Sequence, residues 1–433
     1  MSRRLGQFAL TAVFTGLAAG QSLPPAPRQL NIDSFETVWK TVLDNYWDPK
    51  MGGLDWKAVH DELRPKIEAA STMTEAREVM STMLERLHQT HFGVFPGDLY
   101  KELDAPDSNG GKASRGGNPG IDLRVLDDHA VVTAVEPGSP AASSGVKPGW
   151  EIVRINGREM AAVLAGIRKE FAGSTLLDIR LTRSVLSRLQ GGSGSTVQID
   201  FLDGSDQTVP LKLERAQPRG RIASLGNFPG DYFWAEWRKV RPDVAYVRFN
   251  QFMDPETLTK TVEEAVKGCR DCSGFVIDVR GNPGGIGGLA MGVAGWFVDQ
   301  SGLQLGTEYL RGTTLKFVIF PRAEPFRGPL AILVDGCSAS TAEIFAGGLK
   351  DIQRARVFGT RTAGAALPSI ISRLPNGDGF QYAIANYISQ GGKPLEGIGV
   401  IPDEEVRLTR HRLLEGQDPV VEAALGWIRK QKK

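Results

Sequence analysis

The stretch that most constrains this chain is Val334 to Glu343, VDGCSASTAE, where the apolar run Ala331-Ile-Leu-Val334 breaks abruptly into small residues. A turn has to follow. From Thr341 the pattern is helical, with Ile344, Phe345, Gly348 and Leu349 on one face and Glu343 and Lys350 on the other. Strand, tight turn and helix are therefore expected. A serine at such a turn has its hydroxyl held out beyond the strand, while the first unpaired amides of the helix point at whatever it attacks. Cys337, Ser338 and Ser340 compete for that position, and the G-x-S-x-G elbow pattern is absent. Taken alone, the stretch reads equally as a small-residue turn whose hydroxyls cap the helix.

The 433 residues exceed what one core organises, so two or three domains are expected. A net charge of +1 argues against a nucleic acid or other polyanion as partner. With 41% apolar residues the chain can build proper cores. Arg3 and Arg4, an apolar run from Phe8 to Leu17, and Ala18-Ala19-Gly20 read as a signal peptide over residues 1–20. That run is too short to span a bilayer, so the expectation is an exported protein, periplasmic or extracellular, with no integral membrane segment after cleavage. Cys269, Cys272 and Cys337 are the three cysteines. Cys269-Arg-Asp-Cys272 reads as structural, and without a second ligand pair no metal site is expected.

After a Pro-rich linker, Leu23 to Arg28, helical periodicity runs over Ile32 to Tyr46, Trp56 to Ala69 and Thr74 to His88. Asp33-Ser34 is a plausible cap of the first, and Thr72 or Thr74 of the third. These make a helical domain over 21–103, closing in an extended Phe92 to Pro96. Residues 104 to 118 read as a flexible linker. Strand-like alternation then marks Gly120 to Val125, His129 to Ala134, Gly149 to Gly157 with an Asn-Gly turn, Val197 to Phe201 and Gln207 to Leu213. Gly173 to Gly194 reads as a long insertion loop. From Pro242, strands and helices alternate: Val244 to Phe252, Pro255 to Gly268, Phe275 to Val279, Leu289 to Val298, Ala331 to Val334, Thr341 to Asp351 and Arg356 to Gly359. Strand-like runs near Ser369 to Leu374 and Gln381 to Ile388 follow, and such alternation indicates an α/β sheet.

Residues 117–215, through GSPAASSGVKPGWEIVRINGR, resemble a PDZ domain. In such domains an extended peptide adds to the sheet edge and its C-terminal carboxylate is held by a backbone loop. By resemblance that loop lies around Gly120 and Ile121. DVRGNPGG at Asp278 to Gly285, VDGCSASTAEIFAGGLKD, Gly359 to Gly364 and GIGVIPD at Gly397 to Asp403 together resemble the S41 family, the C-terminal processing or tail-specific peptidases. The resemblance implies a multidomain α/β protein: an N-terminal helical domain, a PDZ-like domain and a ClpP/crotonase-like α/β peptidase core over 242–433. It also implies that Ser340 is the nucleophile, with the Thr341 amide and Gly284 or Gly285 as oxyanion donors. Without the resemblance, the glycines read as a turn that ends a strand.

One departure bears on mechanism. Tail-specific members carry a dyad lysine in T-x-G-K-G, and here Thr362-Ala-Gly-Ala-Ala366 has Ala365 in its place. Alanine cannot take a proton, while Lys350 and Lys393 read as solvated. The tricorn-like branch uses a histidine from a helical segment, and His91, preceded by Thr90, matches it, with His88 as a neighbouring rival. The orienting acid of that branch matches Glu396. The expectation is a cofactor-free serine peptidase that uses Ser340, His91, Glu396 and Thr90 on a peptide or protein substrate, with engagement through the substrate's C-terminus as one route. A catalytically inactive ligand-binding protein of the same fold, or a PDZ scaffold, are the alternatives.

Overall fold

The computed structural model describes residues 25–97, 116–224 and 230–431. The expected signal peptide and residues 104–115 of the expected linker lie outside the described residues.

Helices α1 (Pro25–Asn45), α2 (Trp56–Ala69) and α3 (Met73–Glu85) pack around Phe35, Val42, Leu63, Ile67, Met80 and Met83. Asp55 caps α2 by accepting from the Ala58 amide, and Thr72 caps α3 by accepting from Glu75. The first helix differs from expectation. It starts at Pro25, so Asp33 and Ser34 lie inside it. Proline is tolerated in a first turn because that amide has no helical acceptor. Ser34 instead donates back to the Leu30 carbonyl.

Next come β2 (Ile121–Leu126), β3 (His129–Val135), α4 (Pro140–Ser143), β4 (Glu151–Ile155), α5 (Met160–Glu170), α6 (Leu177–Leu189), β5 (Thr196–Leu202) and β6 (Thr208–Glu214), after a short β1 (Gly93–Phe95). The strands form an antiparallel sheet in the order β2-β3-β4-β5-β6. The insertion loop expected over 173–194 is instead mostly helix α6. Leu181, Val185 and Leu189, four apart, form one buried stripe against this sheet and outweigh the basic residues between them.

The remaining chain supplies β7 (Ala235–Arg241), β8 (Val244–Phe249), α7 (Pro255–Gly268), β9 (Gly274–Asp278), α8 (Gly287–Ala294), β10 (Gln304–Leu310), β11 (Thr313–Val318), β12 (Leu330–Val334), α9 (Thr341–Asp351), β13 (Arg356–Gly359), β14 (Ser369–Arg373), β15 (Gly379–Ala383), β16 (Ala385–Ser389), β17 (Glu404–Glu405) and α10 (Pro419–Lys430). One six-stranded sheet runs β7-β8-β9-β12-β13-β17, parallel except for β7. Its strands alternate between two buried faces. Ala245, Val247 and Ile277 pack on α7, α8 and α9, whereas Val244, Tyr246 and Val276 meet Val420, Leu425 and Ile428 of α10. The fold is thus mixed α/β. The Cys269–Cys272 disulfide joins the end of α7 to the approach of β9.

Two smaller sheets position the site. The first is β11-β10-β16, and the second is β1-β15-β14, in which Gly93 of the N-terminal region pairs with Gln381. The expected strand from Gln381 to Ile388 divides at Ile384, and its halves serve different sheets. Arg77 of α3 grips Asp378 through two hydrogen bonds of 2.8 Å, and Asp378 is 1% exposed. That bidentate pair fixes the helical region, and with it Thr90 and His91, on the larger sheet domain.

Candidate active site

The turn after β12 sorts the three candidate nucleophiles by their partners. Ser338 is fully buried; its hydroxyl donates to the Val279 carbonyl (2.7 Å) and accepts from the Asp335 amide (3.0 Å). Cys337 is buried among Leu176, Ile179, Ala339, Ala363 and Ala365, and burial pushes its thiol up to about 12. Ser340 alone is partly exposed. It starts α9 with φ 54° and ψ −121°. For a residue with a Cβ that backbone costs about 1–3 kcal/mol. Its amide holds it there, shared between the Ala365 carbonyl (2.8 Å) and Glu343 Oε2 (3.0 Å).

Glu343 is the residue that sequence reasoning misplaced. Expected on the solvent face of α9, it is 0% exposed. It accepts from the Ser340 and Ala365 amides through Oε2, and from Thr362 Oγ1 (2.5 Å) and the Gly364 amide (2.8 Å) through Oε1. Burial pushes its pKa up to about 7, against these hydrogen bonds. The spacing Ser340-x-x-Glu343 is that of a capping box and carried this signal. Asp335 ties the other side of the turn, accepting from the Gly281 amide (2.9 Å), the Cys337 amide (3.0 Å) and Arg124 Nε (2.6 Å).

The glycine turn lies directly on the elbow. A Cβ on Gly284, at φ +99°, would stand 2.6 Å from Ser340 Cβ and 2.8 Å from the Thr341 nitrogen. A Cβ on Gly285, at φ +136°, would stand 2.2 Å from the Phe252 carbonyl oxygen. The two amides differ. That of Gly284 donates to Asn282 Oδ1 (2.9 Å), so it is already engaged, whereas those of Gly285 and Thr341 carry no hydrogen bond among the described residues. Thr341 Oγ1 donates to the Gly285 carbonyl (2.8 Å), which holds these two amides side by side.

His91 is 8% exposed, at the junction of α3 and β1. Its Nδ1 lies 2.8 Å from Thr90 Oγ1, and Thr90 Oγ1 donates to Glu396 Oε2 (2.9 Å). Glu396 also accepts from the Thr90 amide (2.8 Å) and the Ala366 amide (3.0 Å). Because the threonine proton goes to the carboxylate, Thr90 can only accept from the ring, so Nδ1 carries the hydrogen and Nε2 the lone pair. Burial lowers His91 to about 4 and raises Glu396 to about 7, the latter also through Glu343. Glu396, expected from sequence as the orienting acid, meets the histidine through Thr90. Ala365 and Ala366 bridge the two halves: the Ala365 carbonyl holds Ser340, and the Ala366 amide holds Glu396.

The other bases do not reach this point. His88 is exposed, and His60 pairs with Glu36 at 3.0 Å. Lys350 donates to the Ile401 carbonyl (2.6 Å) and pairs with Asp403 (3.2 Å), and Lys393 is exposed. Where a dyad lysine would stand, the methyl group of Ala365 is fully buried against Leu176 and Ile179. These two residues come from the start of α6, whose later turns belong to the β2–β6 sheet. Gly120 and Ile121 lead into β2, the edge strand that α6 packs against; the Gly120 amide donates to Asn118 Oδ1 (2.8 Å), and Ile121 is 8% exposed. Among the described residues no group of side chains could hold a metal ion, and no helix is long and apolar enough to cross a membrane.

Residues 243–406 match the model of Peptidase family S41, and residues 31–85 that of the Tricorn protease C1 domain. A carboxyl-terminal-processing protease from a Picosynechococcus species is 26% identical over 384 residues, covering 86% of this chain and 83% of its own. Among solved structures, the photosystem II D1 C-terminal processing protease matches with a TM-score of 0.56 at 21% identity, over 89% of this chain and 94% of that one. Mature CPAF matches with a TM-score of 0.60 at 14% identity, over 94% and 99%. The S41 match spans both the glycine turn and the serine elbow, the C1 match covers the helices that precede Thr90 and His91, and the chain is a serine-type peptidase that carries a Peptidase family S41 domain over residues 243–406.

Proposed function

We propose that this chain cleaves peptides or partly unfolded proteins through an acyl-enzyme on Ser340, with His91 as general base. The observation that carries the reading is the Glu396, Thr90, His91 hydrogen-bond series, which places the ring hydrogen on Nδ1 and so the lone pair on Nε2. In the reaction Nε2 takes the Ser340 proton as Oγ attacks the scissile carbonyl. The Gly285 and Thr341 amides receive the oxyanion, and Gly284 serves by having no side chain. His91 then returns the proton to the leaving amine, and water, activated by the same ring, releases the acyl group. The imidazolium formed on the way is stabilised through Thr90 by the Glu396 carboxylate.

Residues 117–215 act in this reading as a PDZ-like module that takes up a substrate's C-terminus near Gly120 and Ile121, beside a ClpP/crotonase-like core over 242–433 and a helical domain over 21–103. Carboxyl-terminal processing is the activity that the names of relatives favour. Export to the periplasm or the extracellular space is supported by the charged and apolar pattern of residues 1–20 and by the Cys269–Cys272 disulfide, which suits an oxidising compartment. The test is fluorophosphonate labelling with cleavage of an unfolded protein. Both should vanish in Ser340→Ala and fall steeply in His91→Ala, and wild-type cleavage by Ser340→Ala would sink the proposal.

A further inference from the structure

One buried carboxylate takes no part in the elbow or in the histidine series. Glu308 of β10 is 9% exposed, yet it makes no hydrogen bond or ion pair among the described residues. Carboxylates this buried are ordinarily paired, because an ion out of water needs a compensating charge or donors. Burial alone, with no neighbouring charge, pushes Glu308 up to about 7. Antiparallel pairing sets it opposite Leu315 of β11 and Tyr387 of β16, so the three side chains share one face. Tyr387 is buried edge-on to Phe317, with ring centroids 5.6 Å apart, whereas Leu315 is 53% exposed. The carboxyl group thus stands between an apolar floor and an open rim.

Its position along the fold follows from three contacts. A Cβ on Gly348 of α9 would stand 2.6 Å from Leu305 Cα, so the late part of α9 crosses the start of β10. The Gly391 amide donates to Asp351 at the end of α9, and Ser389 pairs with Gly306, so β10 runs from the end of α9 toward its beginning. From Leu305 to Glu308 is about 10 Å at strand rise. From Gly348 back to Thr341 is also about 10 Å at helix rise. Glu308 is therefore level with the first turn of α9, where Ser340 and Thr341 lie. On the same flank Phe317 packs on Gly287, two residues past Gly285. His91 has to return its proton to the leaving amine, so it marks the leaving-group flank, and the glycine-turn flank takes the acyl side.

We propose that Glu308 sits in the wall of the pocket receiving the side chain on the acyl side of the scissile bond and selects lysine or arginine there. An entering ammonium or guanidinium supplies the missing partner, and the aliphatic stem lies along the exposed Leu315. The assignment rests on the peptidase reading above, and it is tested in two ways.

Fluorogenic peptides that differ only at the acyl-side residue should be cut at least tenfold more efficiently, in kcat/KM, with Lys or Arg than with Leu. In Glu308→Gln that ratio should collapse to near one while the Leu peptide is cut as before. An unchanged ratio in an active Glu308→Gln enzyme overturns the proposal. The second arm needs no catalysis: benzamidine, titrated calorimetrically, should bind wild type and Ser340→Ala alike and Glu308→Gln at least tenfold more weakly. Equal binding to Glu308→Gln, or none to wild type, also overturns it. Benzamidine binding without any cleavage would instead sink the peptidase reading and leave the cation pocket standing. Glu308→Gln is expected to fold, with a melting temperature at pH 8 no lower than wild type, because it removes a desolvated charge.

Discussion

Replacing Thr90 with valine tests the series from Glu396 to His91 without changing side-chain shape. Thr90 is 8% exposed and its hydroxyl makes two bonds, donating to Glu396 at 2.9 Å and facing His91 Nδ1 at 2.8 Å. Its removal takes from the carboxylate a hydrogen bond of about 1.5–3 kcal/mol and removes the Thr90 oxygen that faces Nδ1. The part of that loss felt by the reaction is the part that grows as the ring becomes imidazolium. At 1.36 kcal/mol per decade, a loss of 1.5–3 kcal/mol lowers kcat by about 10- to 150-fold. KM should change little, since Thr90 touches no substrate in the proposed mechanism. Single-turnover cleavage of an unfolded protein reads the acylation step directly, and Thr90→Ser should restore most of it. Glu396→Gln should lose a similar amount, and in the double variant the two losses should overlap rather than add. A folded Thr90→Val enzyme with kcat within twofold of wild type would refute the series as the means of holding the base.

Gly284→Ala should abolish fluorophosphonate labelling while leaving the circular dichroism spectrum intact, because the new Cβ would stand 2.6 Å from Ser340 Cβ. Lys350→Ala and Lys393→Ala should each retain at least half the wild-type rate, measured on the same substrate. The folded pKa of His91, about 4, lies below its ordinary 6.5, so the stability it contributes is present above pH 6.5 and is lost as pH falls toward 4. The loss is about 3 kcal/mol at most, and His91→Gln should flatten urea-unfolding stability across that window. Glu396 carries the opposite sign. Its folded pKa of about 7 makes its contribution full below about 4.5 and lost as pH rises through 7, so Glu396→Gln should gain on wild type most clearly at pH 8.

The parts legible from sequence are those where local pattern and tertiary burial agree. Helices Trp56–Ala69, Pro255–Gly268 and Thr341–Asp351 have the bounds that their caps and periodicity predict. The start of α1 was hidden because Pro25 looks like a breaker and Asp33-Ser34 looks like a cap, and both readings ignore that a first turn accepts proline. Helix α6 was hidden by its arginines and serines, since its apolar stripe is shared between two neighbours and is thin toward either one. The hairpin of β10 and β11 went unread, and Glu308 with it, because a lone buried acid in a strand gives no periodic signal. Glu343 looked solvated because charge usually predicts exposure. Its burial depends on amides of Gly364 and Ala365, which no spacing rule connects to it. The proposed base was read from a gap, Ala365 in place of a lysine, whereas the bonds that run from Glu396 through Thr90 are visible only in three dimensions.

In the proposed mechanism the grip of Arg77 on Asp378 bears on when the chain can cut. Ser340 and its amides are built by the larger sheet domain with Arg124 of β2 holding Asp335, but the proposed base arrives from the other end of the sequence, held by the Arg77–Asp378 pair, the β1–β15 pairing and the bonds of Thr90 to Glu396. A partly folded chain, or one whose helical region has been pulled off, carries an elbow with no proton acceptor and is chemically silent. On the proposed mechanism hydrolysis is conditional on finished folding, a safeguard held in the order of segments. Helices and sheet share one apolar core through Leu367, Leu374, Phe380 and Tyr382, so urea that frees the helical region from that core should extinguish turnover.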